Sequence, residues 1–370
     1  MSTSSSDTWR HVATATPAEH RPAEFARLRE ELDALSRRLV ADLHTPNAAL
    51  FWTDMLGSAA LGWATLVWAV ASAPFSWQQM TAIVISALAF YRGLCFTHEI
   101  THLRRRAVPG FETVWNLVLG VPLLLPSFTY VGVHQSHHSL STYGTRDDPE
   151  YLPFRKSRRL IVQFAIQSSF LVPPALVMRF LILSPIGLLV PAFHRLLEAR
   201  ASSFAMNPLY RRAVTPAQAS EMRRWEIVIL ALWAIPVILA VRGSLPWRAF
   251  VVWAVVVGIA SFVNTARVLG AHDYETDGHP RDRHGQLADS IDTPGAFWTE
   301  IWAPVGLRYH ALHHYFPGIP YHNLGRAYRR LIGAVAPGSP YLDSTSPSLW
   351  QSLRTLYQKA KRQYFRLTDW

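Results

Sequence analysis

Three histidine clusters carry the chemistry that this sequence could perform. They read His98-Glu99-Ile100-Thr101-His102, His134-Gln135-Ser136-His137-His138 and His310-Ala311-Leu312-His313-His314. Residues three and four apart share one face of a helix, so each cluster can aim its rings at one point. Neutral imidazole is the commonest side-chain metal ligand. A lone histidine is an ordinary structural residue, but eight in three such clusters are candidate ligands. The first cluster alone also spells the H-E-x-x-H of zinc proteases, with Glu99 as general base, a reading that leaves six box histidines without a task. His272, at the end of a long apolar stretch, is the ninth candidate ligand. His279, in a polar loop with Asp273, Glu275 and Asp277, competes for that place, and His284 and His322 match less well. His11, His20, His44 and His194 read as ordinary residues. Nine rings exceed the four ligands of a tetrahedral zinc. They suit two metals, each with four or five nitrogens and room for an exogenous ligand.

The elements that must position these residues are apolar. Of the 370 residues 50% are hydrophobic and 16% charged, against about 25% charged in ordinary soluble domains. This composition excludes disorder, collagen and coiled coil. The single cysteine, Cys95, excludes an internal disulfide and any cysteine-built metal site. The net charge of +11 is read as the arginine excess that flanks membrane spans on their cytoplasmic side rather than as a nucleic-acid footprint.

A span needs about 20 mostly apolar residues. Residues 49–71, 77–96, 226–241 and 247–271 qualify, the third being short. Loops of a few residues, 72–76 and 242–246, join them into two antiparallel hairpins. Residues 114–126 are too few to cross, and 160–193 are interrupted by Pro173, Pro174, Arg179, Pro185 and Pro191. Both stretches lie between histidine clusters that must share one membrane face, so both are expected to re-enter or lie in the interface. Arg104–Arg106, Arg155, Arg158, Arg159, Arg211, Arg212, Arg223 and Arg224 flank the histidine side, which places that face and both termini in the cytoplasm. Residues 1–18 read as disordered, and Phe25, Leu28, Leu32, Leu35 and Leu39 form one apolar helical stripe, suited either to the membrane surface or to the protein itself. The expected fold is therefore an all-α integral membrane protein. Four transmembrane helices form two hairpins, and a cytoplasmic helical cap bears the metal site. Its parts are a tail and amphipathic helix (1–45), a membrane domain (46–335) and a C-terminal cytoplasmic helical segment (336–370).

A metal site at the cytoplasmic mouth of an apolar bundle can receive a long acyl or polyprenoid chain. Unactivated C–H bonds have no leaving group and no acidic proton, so zinc or acid–base chemistry does not break them, whereas iron with O2 does. At this point the sequence resembles the membrane fatty acid desaturase superfamily, integral-membrane di-iron enzymes that include hydroxylases and carotenoid ketolases. The resemblance covers roughly residues 46–335 and rests on the three boxes in the family's order. Residues 148–152 (DPEYL), 267–272 (RVLGAH) and 313–324 (HHYFPGIPYHNL) add to it. It implies two iron ions, ferrous when reduced, held by His98, His102, His134, His137, His138, His272, His310, His313 and His314, with O2 as co-substrate. Some relatives carry an Asn one turn before the ninth histidine; here position 268 is Val, and Asn264 lies two turns away. No fused heme domain is visible, so electrons would come from a separate ferredoxin-, rubredoxin- or cytochrome b5-like protein.

The function expected from these residues is desaturation of a membrane lipid or acyl-thioester chain, with hydroxylation or ketolation of a lipid or isoprenoid as the alternative. A metal transporter would hold its ligands near the bilayer midplane, not at one edge. Glu99 is read either as an acceptor from a ligand ring or as a partner of Arg104–Arg106. Asp148, Glu150 and Asp273 are read mainly as turn-formers. Arg92 and Arg267 lie inside cytoplasmic span ends, where Arg92 is expected to snorkel, and Trp and Tyr near span ends are expected to anchor there.

Overall fold

The computed structural model describes residues 22–104 and 106–370, with side chains from residue 27 onward. His11, His20, the Phe25 side chain, Arg105 and the expectation for residues 1–18 lie outside the described residues. The principal helices in chain order are α1 (Pro22–Val40), α2 (Ala48–Ala71), α3 (Trp77–His102), α4 (Val133–His137), α5 (Arg158–Phe170) and α6 (Val172–Leu189). They continue as α7 (Pro191–Arg200), α8 (Pro216–Val241), α9 (Arg248–Ala271), α10 (His310–Tyr315), α11 (Tyr321–Ile332) and α12 (Leu349–Lys359). The only β features among the described residues are isolated bridges, one of which joins His272 to Ser290.

The first expected hairpin forms as a packed pair, α2 on α3, whereas α8 and α9 are joined by a short turn and meet through Trp233, Phe250 and Trp253 rather than along their length. Asn47 and Ser76 cap α2 and α3 by accepting the Leu50 and Gln79 N–H groups. Helices α2 and α3 meet at Gly62, where an added Cβ would lie 2.5 Å from the Phe90 ring. Helix α8 starts earlier than the apolar run suggests, because Thr215 and Gln218 build a reciprocal cap ahead of Pro216. Helix α9 packs on α3, α5 and α12, and so binds the two halves of the bundle.

Five described helices, not four, are long and apolar enough to cross a membrane: α2, α3, α6, α8 and α9. The fifth is the stretch whose prolines argued against a simple span. Pro173, Pro174 and Pro185 fall in first-turn positions of its helical pieces, where a missing N–H costs little. A π-helical turn at Met178–Leu183 joins those pieces. Arg179 is not exposed to the apolar surroundings. It donates to Glu226 at 2.6 Å, to Ser184 at 2.6 Å and to the Ala201 carbonyl at 2.6 Å. His194, read from sequence as ordinary, completes this cluster at 2.8 Å from both Glu226 and Glu198.

The segment at 114–126 enters between the helices as a short helix, Phe111–Trp115, and a π turn, Asn116–Gly120. Irregular backbone at membrane depth needs partners for its carbonyls. Indole N–H groups supply them: Trp63 bonds Val118, Trp233 bonds Val121 and Trp253 bonds Pro122, at 2.8, 3.1 and 3.2 Å. These tryptophans are interior donors rather than interface anchors. Arg92 is likewise corrected from snorkelling to paired: it bonds Asp54 of α2 at 2.9 and 2.5 Å and reaches Glu300 at 3.4 Å. The apolar stripe of α1 faces the protein, with Leu32 and Val40 buried among Leu312, Tyr315, Leu324 and Leu331.

Removing one partner of a buried ion pair leaves the other charge uncompensated, at a cost of about 3–5 kcal/mol. Glu226→Gln should therefore lower the melting temperature of the detergent-solubilised protein clearly. Exposed Glu275→Gln should leave it nearly unchanged. Equal melting of both variants would show that the Arg179–Glu226–His194 cluster contributes no stability.

Candidate metal centre

Four chain segments deliver histidines to one level. Helix α3 ends with His98 and His102. Helix α4 carries His134 and His137, and His138 caps it. This short helix starts after Gly132, whose φ of +83° lets the chain turn. Arg212 braces the approach by donating to the carbonyls of Phe128, Val131 and Ser202. His272 is the extended residue just past α9. Helix α10 brings His310, His313 and His314, and buried Asp292 holds its first turn by accepting the Leu312 N–H at 3.1 Å.

All nine histidines expected as ligands converge, and they sort into two groups. His98, His102, His134, His138 and His313 place one nitrogen each within 4.8 Å of one another, and His137, His272, His310 and His314 do the same. Only His102 and His138 are partly exposed. Facing Nε2 atoms approach closely: His272 and His310 at 2.8 Å, His134 and His138 at 3.0 Å, His138 and His313 at 3.1 Å, His310 and His314 at 3.2 Å. Buried nitrogens of His98, His102, His138, His310 and His313 have no hydrogen-bond partner among the described residues. Burial first, and the neighbouring imidazoles second, push His134, His138, His310, His313 and His314 well below the ordinary histidine range; burial and the charge of His137 do the same to His272. Neutral rings with inward lone pairs are the donor set that metal cations require.

The opposite ring nitrogens of His134, His137 and His272 are anchored by side chains, whereas Nδ1 of His138, His310 and His313 has no partner among the described residues. His134 Nδ1 lies 2.8 Å from Glu150, which also accepts the Tyr130 hydroxyl at 3.0 Å. His137 Nδ1 lies 2.9 and 3.0 Å from the two oxygens of fully buried Asp148. Burial opposes a charge on His137, but the Asp148 carboxylate overrides it and raises this ring's proton affinity. His272 Nδ1 meets the Tyr143 hydroxyl at 3.0 Å, and Tyr143 and Tyr151 both donate to Asp289 at 2.9 Å. Burial pushes the Asp289 carboxyl up to about 6 and that of Glu150 to about 7. Glu99 lies 3.4 Å from His98 Nδ1 and accepts the Tyr321 N–H at 2.9 Å. Such partners fix tautomer and ring orientation.

Several expectations change here. Asp148 and Glu150 do more than form a turn, since each touches a ring of the second box. Asp273 does not; it pairs with Arg155 at 2.8 Å and Lys359 at 2.9 Å. His279 is exposed and outside both groups. His284 lies 3.4 Å from Asp33, and His322 accepts the Asn47 N–H at 3.0 Å. Tyr143, Asp289, Ser290, Gln286 and Asp292 escaped the sequence reading, because no spacing rule ties them to a box.

Residues 75–346 match the family described as fatty acid desaturase. The chain is also similar to a ceramide hydroxylase of Caulobacter vibrioides. The two are 37% identical over 333 residues, which cover 88% of this chain and 93% of the relative.

Loss of a partner that orients a metal-binding histidine typically costs 10–100-fold in metal affinity. Asp148→Asn should therefore lose bound metal faster than the unmodified protein during timed chelator challenge. Asp273→Asn, whose ion pairs face away from the rings, should not. Identical retention in both variants would deny Asp148 this role.

Proposed function

The chain belongs to the fatty acid desaturase family, and from that premise we propose that it is a di-iron membrane hydroxylase of an amide-linked, ceramide-type lipid. The hydroxylase relative carries this choice over desaturation. The histidine groups serve both outcomes equally, so the ligands themselves do not decide. When bound, iron with O2 and two electrons supplies the oxidising power to insert one oxygen atom into an unactivated C–H bond.

The protein's own residues do the rest. The nine histidines would hold one metal in the group of five and one in the group of four. Glu150, Asp148 and the Tyr143–Asp289 pair keep protons on the outer ring nitrogens and leave the inner lone pairs free. The apolar walls of α3 and α9 beneath the rings exclude water and hold the lipid chain in reach. Electrons would arrive from a separate ferredoxin-, rubredoxin- or cytochrome b5-like carrier.

The same reading puts the histidine layer and both termini in the cytoplasm, with 72–76 and 242–246 on the far side. Two sets of contacts support an even number of crossings between the boxes. Before α5, Arg158 N–H bonds the Lys361 carbonyl beside the C-terminal segment. After α7, Phe204 N–H bonds the Thr129 carbonyl and Asn207 N–H that of Pro149, beside the second box. The chain thus leaves and rejoins the histidine side across α5, α6 and α7, so α6 enters the membrane without a net crossing.

Three measurements test this. Cells expressing the protein should gain lipids bearing one extra oxygen, labelled when heavy-isotope dioxygen is supplied. Unsaturated products without label would restore the desaturase reading. Active protein should hold two irons per chain, and His272→Ala should abolish turnover while His279→Ala does not. In a Cys95→Ser background, cysteines at Ala73 and Ser244 should react with an impermeant reagent from outside cells and those at Ser141 and Ser220 should not. External labelling at Ser220 would make α6 a true crossing.

A further inference from the structure

Of the arginines in the five apolar helices, Arg92, Arg179 and Arg267 are withdrawn from the surface. Two are saturated by the protein. Arg92 has Asp54 and Glu300, and Arg179 has Glu226, Ser184 and a carbonyl. Arg267 differs. It bonds Asn264 Oδ1 at 2.9 Å and reaches the Tyr91 hydroxyl, and its Nε is buried with no partner. The groups that act on it electrostatically are the hydroxyls of Tyr91 and Tyr130 and the thiol of Cys95. Glu150 follows them, already shared by His134 and Tyr130. Among the described residues no carboxylate pairs with Arg267.

Its position is as telling as its environment. Tyr91, Cys95, His98 and His102 are spaced four, three and four residues apart, which is one face of α3. Asn264, Arg267 and Ala271 similarly share a face of α9, which then ends at His272. At 1.5 Å per residue, Arg267 starts about 7.5 Å to the membrane side of His272, and Cys95 about 4.5 Å below His98. The free donor therefore stands directly beneath the histidine layer. A buried guanidinium with an idle N–H is costly unless an acceptor meets it, and a carbonyl oxygen offers two lone pairs.

We propose that Arg267, steered by Asn264, anchors the amide oxygen of the lipid substrate and so selects a carbon close to the amide for oxidation. This rests on the lipid-hydroxylase reading above and names the group by which that substrate is held. Arg267 acts here as a binding and positioning residue, with no part in bond breaking.

The test compares two probes on the metal-loaded full chain in lipid nanodiscs: an N-stearoyl sphingoid amide, and the N-stearyl amine analogue that lacks the carbonyl. Unmodified protein should bind the amide at least about tenfold more tightly, the scale of a hydrogen bond to a charged group. Arg267→Gln should bring that preference near unity while leaving affinity for the amine and metal content unchanged. If Arg267→Gln does not accumulate, Arg267→Lys, which keeps the charge and loses the planar fork, should cut the preference severalfold. A preference unchanged in either variant, or absent from unmodified protein, overturns the proposal. Product mapping separates the two readings. Protein that binds the amide selectively but oxygenates no lipid retains this anchor and loses the hydroxylase assignment. Oxidation far from the amide overturns the positioning role.

Discussion

The fold answers to one electrostatic constraint: nine imidazoles are packed at one level, six of them with facing nitrogens about 3 Å apart. Facing lone pairs repel, and burial denies the rings the protons that would relieve them. Without cations this layer would be a concentrated liability, because orphaned buried acceptors are costly. With cations it becomes the strongest interaction in the molecule. The surrounding structure therefore holds the rings where they would otherwise not stay. Asp148, Glu150 and Asp289 grip from outside, Arg212 braces the second box, and Asp292 nails down the single turn that carries the third.

That requirement propagates into the membrane. Ligands of one layer must come from chain segments that end on the same side, so the segments between boxes cannot all be straightforward spans. On the proposed topology the chain meets this with an irregular insertion at 114–126 and the α5–α6–α7 excursion. Both expose polar groups to apolar surroundings, and both are neutralised locally. Three indoles cap the carbonyls of the first, and the Arg179–Glu226–His194 cluster closes the second.

The boxes were legible because their spacing of three and four residues is a local, helical property, and all nine proposed ligands assemble. The hairpins were legible from apolar length and short loops. What escaped detection depends on segments far apart in the chain. Asp289 reaches His272 through Tyr143 and directly at 3.8 Å, and Asp54 neutralises Arg92 from another helix. Neither relation leaves a periodic mark. The α6 prolines misled for a different reason: a proline forbids a helix interior but suits a helix start, and composition alone does not reveal where a new first turn begins.

The same division explains why ligand identity says little about the product. The histidine layer determines that a C–H bond can be attacked, and it serves desaturation and hydroxylation alike. Which carbon is presented depends on how the lipid is held below that layer. An apolar wall would hold a lipid chain without register, since methylenes are interchangeable and sliding by one costs little. A register needs a polar contact at a fixed height. Among the withdrawn arginines of the membrane helices, only Arg267 keeps an idle donor, and it does so one to two turns beneath the rings. On the proposed reading, the carbon that is oxidised would then be chosen by this polar contact rather than by the metal ligands.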